Sequence, residues 1–319
     1  MENRSRPLRL SLEMTYARTR AVLIVNPIAG AGTDRRPLSQ MIALAKQAGI
    51  EIHYQVTHGP GSARRLAAEI SADPRNASSI RAVMAVGGDG TVHEVADGLA
   101  HGPLPLVVWP TGTENLFAKS FLFHANPRAA LDCLLHGQVR LIDLGQANGR
   151  SFLIVAGVGF DAEVVHRLAG TRTGHISHLT YSTPLWRTFW EHRFPRLRVY
   201  DGNSLLWEGQ GLVFVGNLPR YSLGLRVIRD AICDDGLLDL CVFPCRGRLR
   251  LIGHSLRTML RTHVEHGGVL YRRLQNVRVE SDDPVPVELD GEAAGHLPLD
   301  LKVRPRALRV LVPPEATRL

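Results

Sequence analysis

Three short clusters carry residues whose types and spacing suit a phosphorylated ligand. The first is Gly87-Gly88-Asp89-Gly90-Thr91. Its glycines let the main chain approach a ligand without Cβ clashes. Asp89 offers a carboxylate that could hold Mg²⁺ directly or through water, and Thr91 adds a hydroxyl. The second cluster is Asn26-Pro27-Ile28-Ala29-Gly30, and the third is Pro110-Thr111-Gly112-Thr113-Glu114-Asn115. A fourth candidate, Asp290, stands between an apolar run at 285–289 and Gly291. There a carboxylate could take the proton of a hydroxyl nucleophile. Each has a plainer reading. Asp89 or Thr91 could merely cap a helix, and Asp-Gly is a common hairpin turn.

The elements around these clusters decide where they point. The apolar run 82–86 reads as a buried parallel strand, and Val92, Val95, Ala96 and Leu99 then recur at helical spacing. Strand, glycine turn and helix start bring backbone N–H groups and the positive end of a helix to one point, which is a ready phosphate site. The same alternation holds around it. Strands are expected at 21–25, 50–56 and 106–109. Helices are expected from Leu38 to a stop at Gly49, at 61–70, at 115–121 and at 127–135. Alternating strands and helices imply a parallel sheet covered on both faces. Such sheets bind ligands beyond the carboxyl ends of their strands, where the three polar loops lie.

Near Asp143 the texture changes. Segments 151–156, 197–200, 205–207, 211–216, 237–243, 277–280 and 285–289 read as strands separated by turns, which predicts an antiparallel sandwich. Helical patterns at 176–191 and 249–263 interrupt it. The first holds Leu179, Tyr181, Leu185, Trp186, Phe189 and Trp190, read as core or as the lining of an apolar cleft.

At 319 residues the chain can hold two domains with substantial cores. No apolar run approaches the roughly 18 residues of a membrane span, and residues 1–16 lack a signal-peptide core. Cys133, Cys233, Cys241 and Cys245 form neither a disulfide framework nor a zinc pattern. His175 and His178 with Tyr181, and His254, His263 and His266, also lack a metal pattern. A cytoplasmic protein is expected. The net charge of +8 suits an acidic partner. Its arginines, however, are not interleaved with the aromatics that a single-stranded nucleic-acid platform needs, so no nucleic-acid partner is expected.

With these motifs in order, the chain resembles the diacylglycerol kinase catalytic-domain family, which includes bacterial diacylglycerol kinase-like, sphingosine and ceramide kinases. The likeness runs from Asn26-Pro27 through the glycine loop and Pro110 to Asn115, on to Asp234-Asp235-Gly236-Leu237-Leu238-Asp239, and to Asp290-Gly291-Glu292. It implies an α/β fold in two domains. An N-terminal parallel sheet, like that of NAD kinases and phosphofructokinases, is followed by a C-terminal antiparallel β-sandwich, with MgATP in the cleft between them. The boundaries that follow are a flexible extension at 1–19, a nucleotide-binding domain at 20–143 completed by 305–319, and a lipid-substrate sandwich at 144–304. The resemblance implies that Asn26, Gly87, Gly88, Gly90, Thr91, Glu94, Thr111, Gly112, Thr113, Asn115 and Glu292 serve the nucleotide. It implies Asp89 in the Mg²⁺ network, a structural Mg²⁺ at Asp234 and Asp235 with the Leu237 carbonyl, and Asp290 as general base. Two positions depart from the family pattern: His93 replaces Asn before Glu94, and Leu116 replaces Asp after Asn115.

The function so implied is an ATP-dependent lipid kinase acting on a hydroxyl of diacylglycerol, a sphingoid base or a similar lipid. It would sit peripherally on an anionic membrane surface. A kinase for a soluble substrate such as NAD, and a non-catalytic nucleotide- or lipid-binding regulator, are the alternatives. The sequence leaves a homodimer open.

Overall fold

A run of small and branched apolar residues can be buried on both faces only if helices cover both sides of its sheet. The first part of the chain does this. The computed structural model describes residues 18–29, 34–169, 178–265 and 268–318. The described residues divide into two compact units. One lies within Met1–Gly112, Phe121–Arg140 and Leu308–Leu319, the other within Thr113–Ser120 and Leu141–Ala307. Residues 1–17 of the expected extension at 1–19, Gly30 of the second cluster, His175 and His266 lie outside the described residues, as do the side chains of His178, Leu179 and Tyr181.

In the first unit the order is β1 (Arg20–Val25), α1 (Arg36–Gln47), β2 (Glu51–Val56), α2 (Ser62–Ala72), α3 (Pro74–Ser79), β3 (Ile80–Gly87), α4 (Asp89–Leu99) and β4 (Leu106–Pro110). Helix α5 (Leu116–Ser120) falls in the second unit, and α6 (Pro127–His136) returns to the first. The strands are parallel in the order β4-β3-β1-β2. Residues 82–85 of β3 are fully buried, as expected of a central strand. β2 is the edge, so Tyr54 is exposed despite its alternating pattern. Gly49 ends α1 with φ +80°, the left-handed conformation that glycine supplies without strain.

The second unit opens with β5 (Gln138–Ala147), β6 (Arg150–Phe152) and β7 (Val155–Val158), followed by α7 (Phe160–Ala169) and α8 (His178–Glu191). It continues with β8 (Arg196–Asp201), β9 (Ser204–Gly216), β10 (Leu238–Pro244), α9 (Arg248–Met259), β11 (Leu270–Leu274), β12 (Asn276–Glu280), β13 (Pro286–Leu289), β14 (Glu292–His296) and β15 (Leu299–Val312). The expected strands at 205–207 and 211–216 are one strand. The first half of β9 pairs with β8, and its second half pairs with β7 and β10. Sharing β9 joins two antiparallel layers into a sandwich. Val199, Val213, Val215, Leu240, Val279, Val287 and Leu301 pack inside it. The expected strand at 151–156 is instead two strands, β6 and β7, interrupted at residues 153–154. The long β15 pairs with β12 through residues 299–302; at its far end Val310 runs parallel to Leu106 of β4, so the last strand returns to the first sheet.

Candidate active site

The glycine loop between β3 and α4 has no room for side chains. A Cβ on Gly87 would stand 2.5 Å from the Thr91 Cβ, and one on Gly88 would stand 3.2 Å from the Gly112 Cα. Gly88 precedes α4 in an extended conformation and gives it no side-chain cap. No side chain at the cap position therefore covers the start of the helix. Two neighbouring loops lock onto this one. The Asn26 amide donates to Thr91 Oγ1 at 3.0 Å, and the Thr111 N–H donates to the Gly87 carbonyl at 3.0 Å. Asn26 also accepts from the Ile28 and Ala29 N–H groups, which folds its own loop. The structure thus gathers Asn26, Gly87, Gly88, Thr91, Thr111 and Gly112, with Asp89 and Gly90 opening the helix.

Thr111 Oγ1 is buried and has no hydrogen-bond partner among the described residues. A hydroxyl in that state is costly unless a ligand satisfies it. Beyond Gly112 the loop passes into the second unit. Thr113 and Asn115 are placed there, Asn115 with φ +50° and its carbonyl accepting from the Lys119 N–H. Leu116 opens α5 and is buried, so this departure from the family pattern is a packing residue. Glu94 has a structural task. Its carboxylate accepts from the N–H of Gly61 at 2.7 Å and of Ala63 at 3.0 Å. It caps α2, which otherwise has no side-chain cap from its own Gly61.

Asp290 and Gly291 form the two-residue turn between β13 and β14, with Leu289 opposite Glu292. Both have positive φ, +50° and +81°, the pattern of a type I′ hairpin. Asp290 does more than turn the chain. Its Oδ1 accepts from the N–H of Ile154 at 2.8 Å and Val155 at 3.0 Å, and its Oδ2 accepts from the Leu153 N–H at 2.7 Å. A carboxylate has about four acceptor positions, and these three donors fix its orientation. The interruption of the expected strand at 151–156 is where these N–H groups turn toward Asp290. From the other side Asn217 N–H donates to the Ile154 carbonyl at 2.9 Å.

Behind this turn lies a buried acidic cluster that the sequence did not reveal. The Tyr221 hydroxyl sits between Asp161 Oδ2 and Glu288 Oε1, the latter at 3.0 Å. Glu288 Oε2 accepts from the Gly291 N–H at 2.7 Å. A phenol has one proton for two carboxyls, so the cluster is satisfied when one carboxyl is itself protonated. Burial pushes Asp161 up to about 6 and Glu288 well above the usual carboxylate range, the Glu288 shift being reinforced by Asp161. Burial likewise raises the Tyr221 phenol, helped by both carboxylates. Asp161 lies in the first turn of α7, a helix not expected from the sequence although Ala162, Val165 and Leu168 recur at helical spacing. Glu288 occupies a position in an apolar strand and gave no sign of its partner.

Two family models match the chain: the diacylglycerol kinase catalytic domain over residues 20–147, and the YegS C-terminal NAD kinase beta sandwich-like domain over residues 154–312. The chain belongs to the bacterial-type diacylglycerol kinase family. A Bacillus subtilis (strain 168) protein named diacylglycerol kinase is 28% identical over 303 residues, 93% of this chain and 97% of the relative. The Staphylococcus aureus (strain JH9) protein of that name is 27% identical over 301 residues, covering 93% of each. A solved diacylglycerol kinase structure from Bacillus anthracis str. Sterne matches with a TM-score of 0.68 at 21% identity, over 94% of this chain and 98% of that one. Another Bacillus anthracis structure reaches 0.77 at 23% identity, over 99% of this chain and all of that one. These structures show the fold, a parallel N-terminal sheet and an antiparallel C-terminal sandwich. The family makes the chain a phosphotransferase with an alcohol acceptor, a lipid kinase, with ATP as the nucleotide that such a kinase implies.

The family's expected cation positions fit unequally. Mg²⁺ at a triphosphate commonly keeps several waters and takes one or two carboxylates plus phosphate oxygens, so Asp89 at a helix start is a suitable donor. At the 234–239 turn the chain binds itself more tightly. Asp235 Oδ1 accepts from the Leu237 N–H at 3.0 Å, and Arg273 lies 3.9 Å from its other oxygen. The Gly236 N–H donates to Asp143, which is fully buried and also accepts from the Arg306 N–H. Asp239, also fully buried, accepts from Tyr271 and Arg273. Asp234 is exposed. Among the described residues no three Asp, Glu, His or Cys side chains converge closely enough to hold a metal ion by themselves. His254 and His263 are buried and hydrogen-bonded to the Pro244 and Val227 carbonyls, which makes them core histidines of this kinase family member.

Proposed function

We propose that this chain transfers the γ-phosphate of ATP to a hydroxyl of a membrane lipid such as diacylglycerol or a sphingoid base, with Asp290 as general base. The observation that carries the nucleotide half is the buried, unpartnered Thr111 hydroxyl beside a glycine loop with no space for a Cβ. Phosphoryl transfer asks the protein for position and charge compensation more than for covalent chemistry. In this reading the N–H groups of Gly87 to Gly90 hold phosphate oxygens, and Asn26 keeps Thr91 and the second loop in register. Thr113 and Asn115 complete the nucleotide contacts. Mg²⁺ held by Asp89 would neutralise phosphate charge as the leaving group departs. A second Mg²⁺ at Asp234 and Asp235 with the Leu237 carbonyl would be structural. The acceptor hydroxyl gives its proton to the Asp290 carboxylate as its oxygen bonds to the γ-phosphorus. The bond from that phosphorus to the β-bridging oxygen breaks, and ADP leaves. Glu292, half-buried at the start of β14, lies beside the base.

The acceptor brings the enzyme to an anionic membrane surface. No described helix is long and apolar enough to cross a membrane. Wild-type protein should move labelled γ-phosphate from MgATP into a chloroform-soluble product when given a lipid extract, and leave NAD unlabelled. Label on NAD alone would contradict the proposal.

A further inference from the structure

The apolar residues of α8 were expected either in the core or lining a cleft, and several of them are exposed. Trp186 is 64% exposed and Trp190 50%. Helix α9 repeats the pattern. It uses Leu251, His254 and Thr258 to face inward, yet a second apolar stripe of Leu249, Ile252, Leu256 and Met259 recurs at i, i+3, i+7 and i+10 on its outer side. Leu249 is 87% exposed, and Leu260 just beyond the helix is 73% exposed. Isolated exposed leucines are ordinary, but a stripe continuous with two tryptophans is not.

The two helices are joined. Arg248 Nε donates to the Phe189 carbonyl at 2.9 Å, its terminal nitrogen donates to the Trp190 carbonyl, and its guanidinium lies 5.2 Å from the Trp190 ring centre. Between them runs an open groove of about 650 Å³ lined by Phe189, Trp190, Leu249 and Ile252 together with Arg246 and Arg250. Arg246, Arg250 and Arg257 have no carboxylate within ion-pair distance among the described residues. Glu191, the acidic residue at the end of α8, is taken by Arg167 and Arg187. The surface is therefore apolar and basic together.

We propose that the outer faces of α8 and α9 form the docking surface for an anionic lipid bilayer. This rests on the reading of the chain as a kinase of a membrane lipid. Leucine, methionine and tryptophan side chains enter the headgroup and acyl boundary while flanking arginines meet lipid phosphates, the composition of interfacial helices. Tryptophan suits that boundary because its ring is apolar and its N–H is polar. A second copy of this chain fits worse. A two-fold interface brings the same patch against itself, and the unpaired arginines would then face their own equivalents.

The test uses the full chain with vesicles of phosphatidylglycerol mixed into phosphatidylcholine, and with pure phosphatidylcholine vesicles. Two double variants are compared with wild type: L249D/M259D and R250E/R257E. All four positions are exposed, and thermal melts check that each variant folds. Both should bind the anionic vesicles about thirtyfold more weakly, or less. Wild type should bind the neutral vesicles poorly. Turnover of a short-chain diacylglycerol dissolved as monomers should stay unchanged in both. Unaltered binding of either variant to the anionic vesicles would overturn the proposal. So would a wild-type dimer that L249D/M259D splits without loss of vesicle binding. Patch-dependent vesicle binding without phosphorylation of any lipid would uphold the surface and count against the functional reading instead.

Discussion

Asp290 and the acidic cluster behind it show how two neighbouring carboxyls acquire different tasks from their surroundings. Three backbone N–H groups fix Asp290, while Glu288, two residues earlier, shares a buried phenol with Asp161. The cluster should leave a mark on stability. Asp161 rises from 3.8 to about 6 on folding through burial. A raised carboxyl favours the fold while it is protonated in both states, below about pH 4. That advantage is lost as pH climbs through 6, because the unfolded chain ionises first. Urea unfolding of wild type against Asp161→Asn should show wild type losing roughly 1–3 kcal/mol relative to the variant between pH 4 and 6, with no further change above pH 7. A constant difference across that range would show that Asp161 is ionised in the fold. Glu94 presents a different case, a side chain whose two oxygens accept from the N–H groups that start a neighbouring helix. Glu94→Ala should cost about 1–2 kcal/mol of stability, since it exposes two helix-start donors, and should leave the KM for ATP within about twofold. A large KM effect without a stability loss would return Glu94 to the nucleotide site.

At the level of elements, the glycine loop is a joint between β3 and α4 whose geometry depends on three chain segments meeting. Gly87→Ala would press a methyl into Thr91 and loosen the Asn26 contact. It should cost about 1–3 kcal/mol and raise the KM for ATP, and thermal melts with steady-state kinetics will read both. An unchanged KM would detach the loop from nucleotide binding. The loop, its flanking strand and its helix were legible because each is written locally: an apolar run, glycines, then a 3.6-residue period. The parallel sheet followed from the same alternation. The sandwich was legible as a class and less so in its parts. β9 looked like two strands because Gly209 stands in the polar gap between the segments at 205–207 and 211–216, while tertiary pairing carries one strand through both layers. The Asp161–Tyr221–Glu288 cluster was illegible because its members lie 60 and 67 residues apart and meet only through the fold. The exposed face of α9 was hidden for a different reason: an apolar helix reads as core unless a second, outward stripe is counted.

For the whole molecule, we propose that the loops of the parallel sheet hold the nucleotide and that the Asp290 hairpin of the sandwich takes the proton of the acceptor. Family membership places the chain among lipid kinases, and the base, the metal and the acceptor are proposed from the site. The most direct test of that reading is turnover of a lipid acceptor by Asp290→Asn beside wild type, with ATP affinity measured on both by calorimetry. General base removal predicts a loss of about 10²–10⁴-fold in kcat with ATP affinity unchanged. An Asp290→Asn protein that folds and phosphorylates lipid at a rate near wild type would contradict the account.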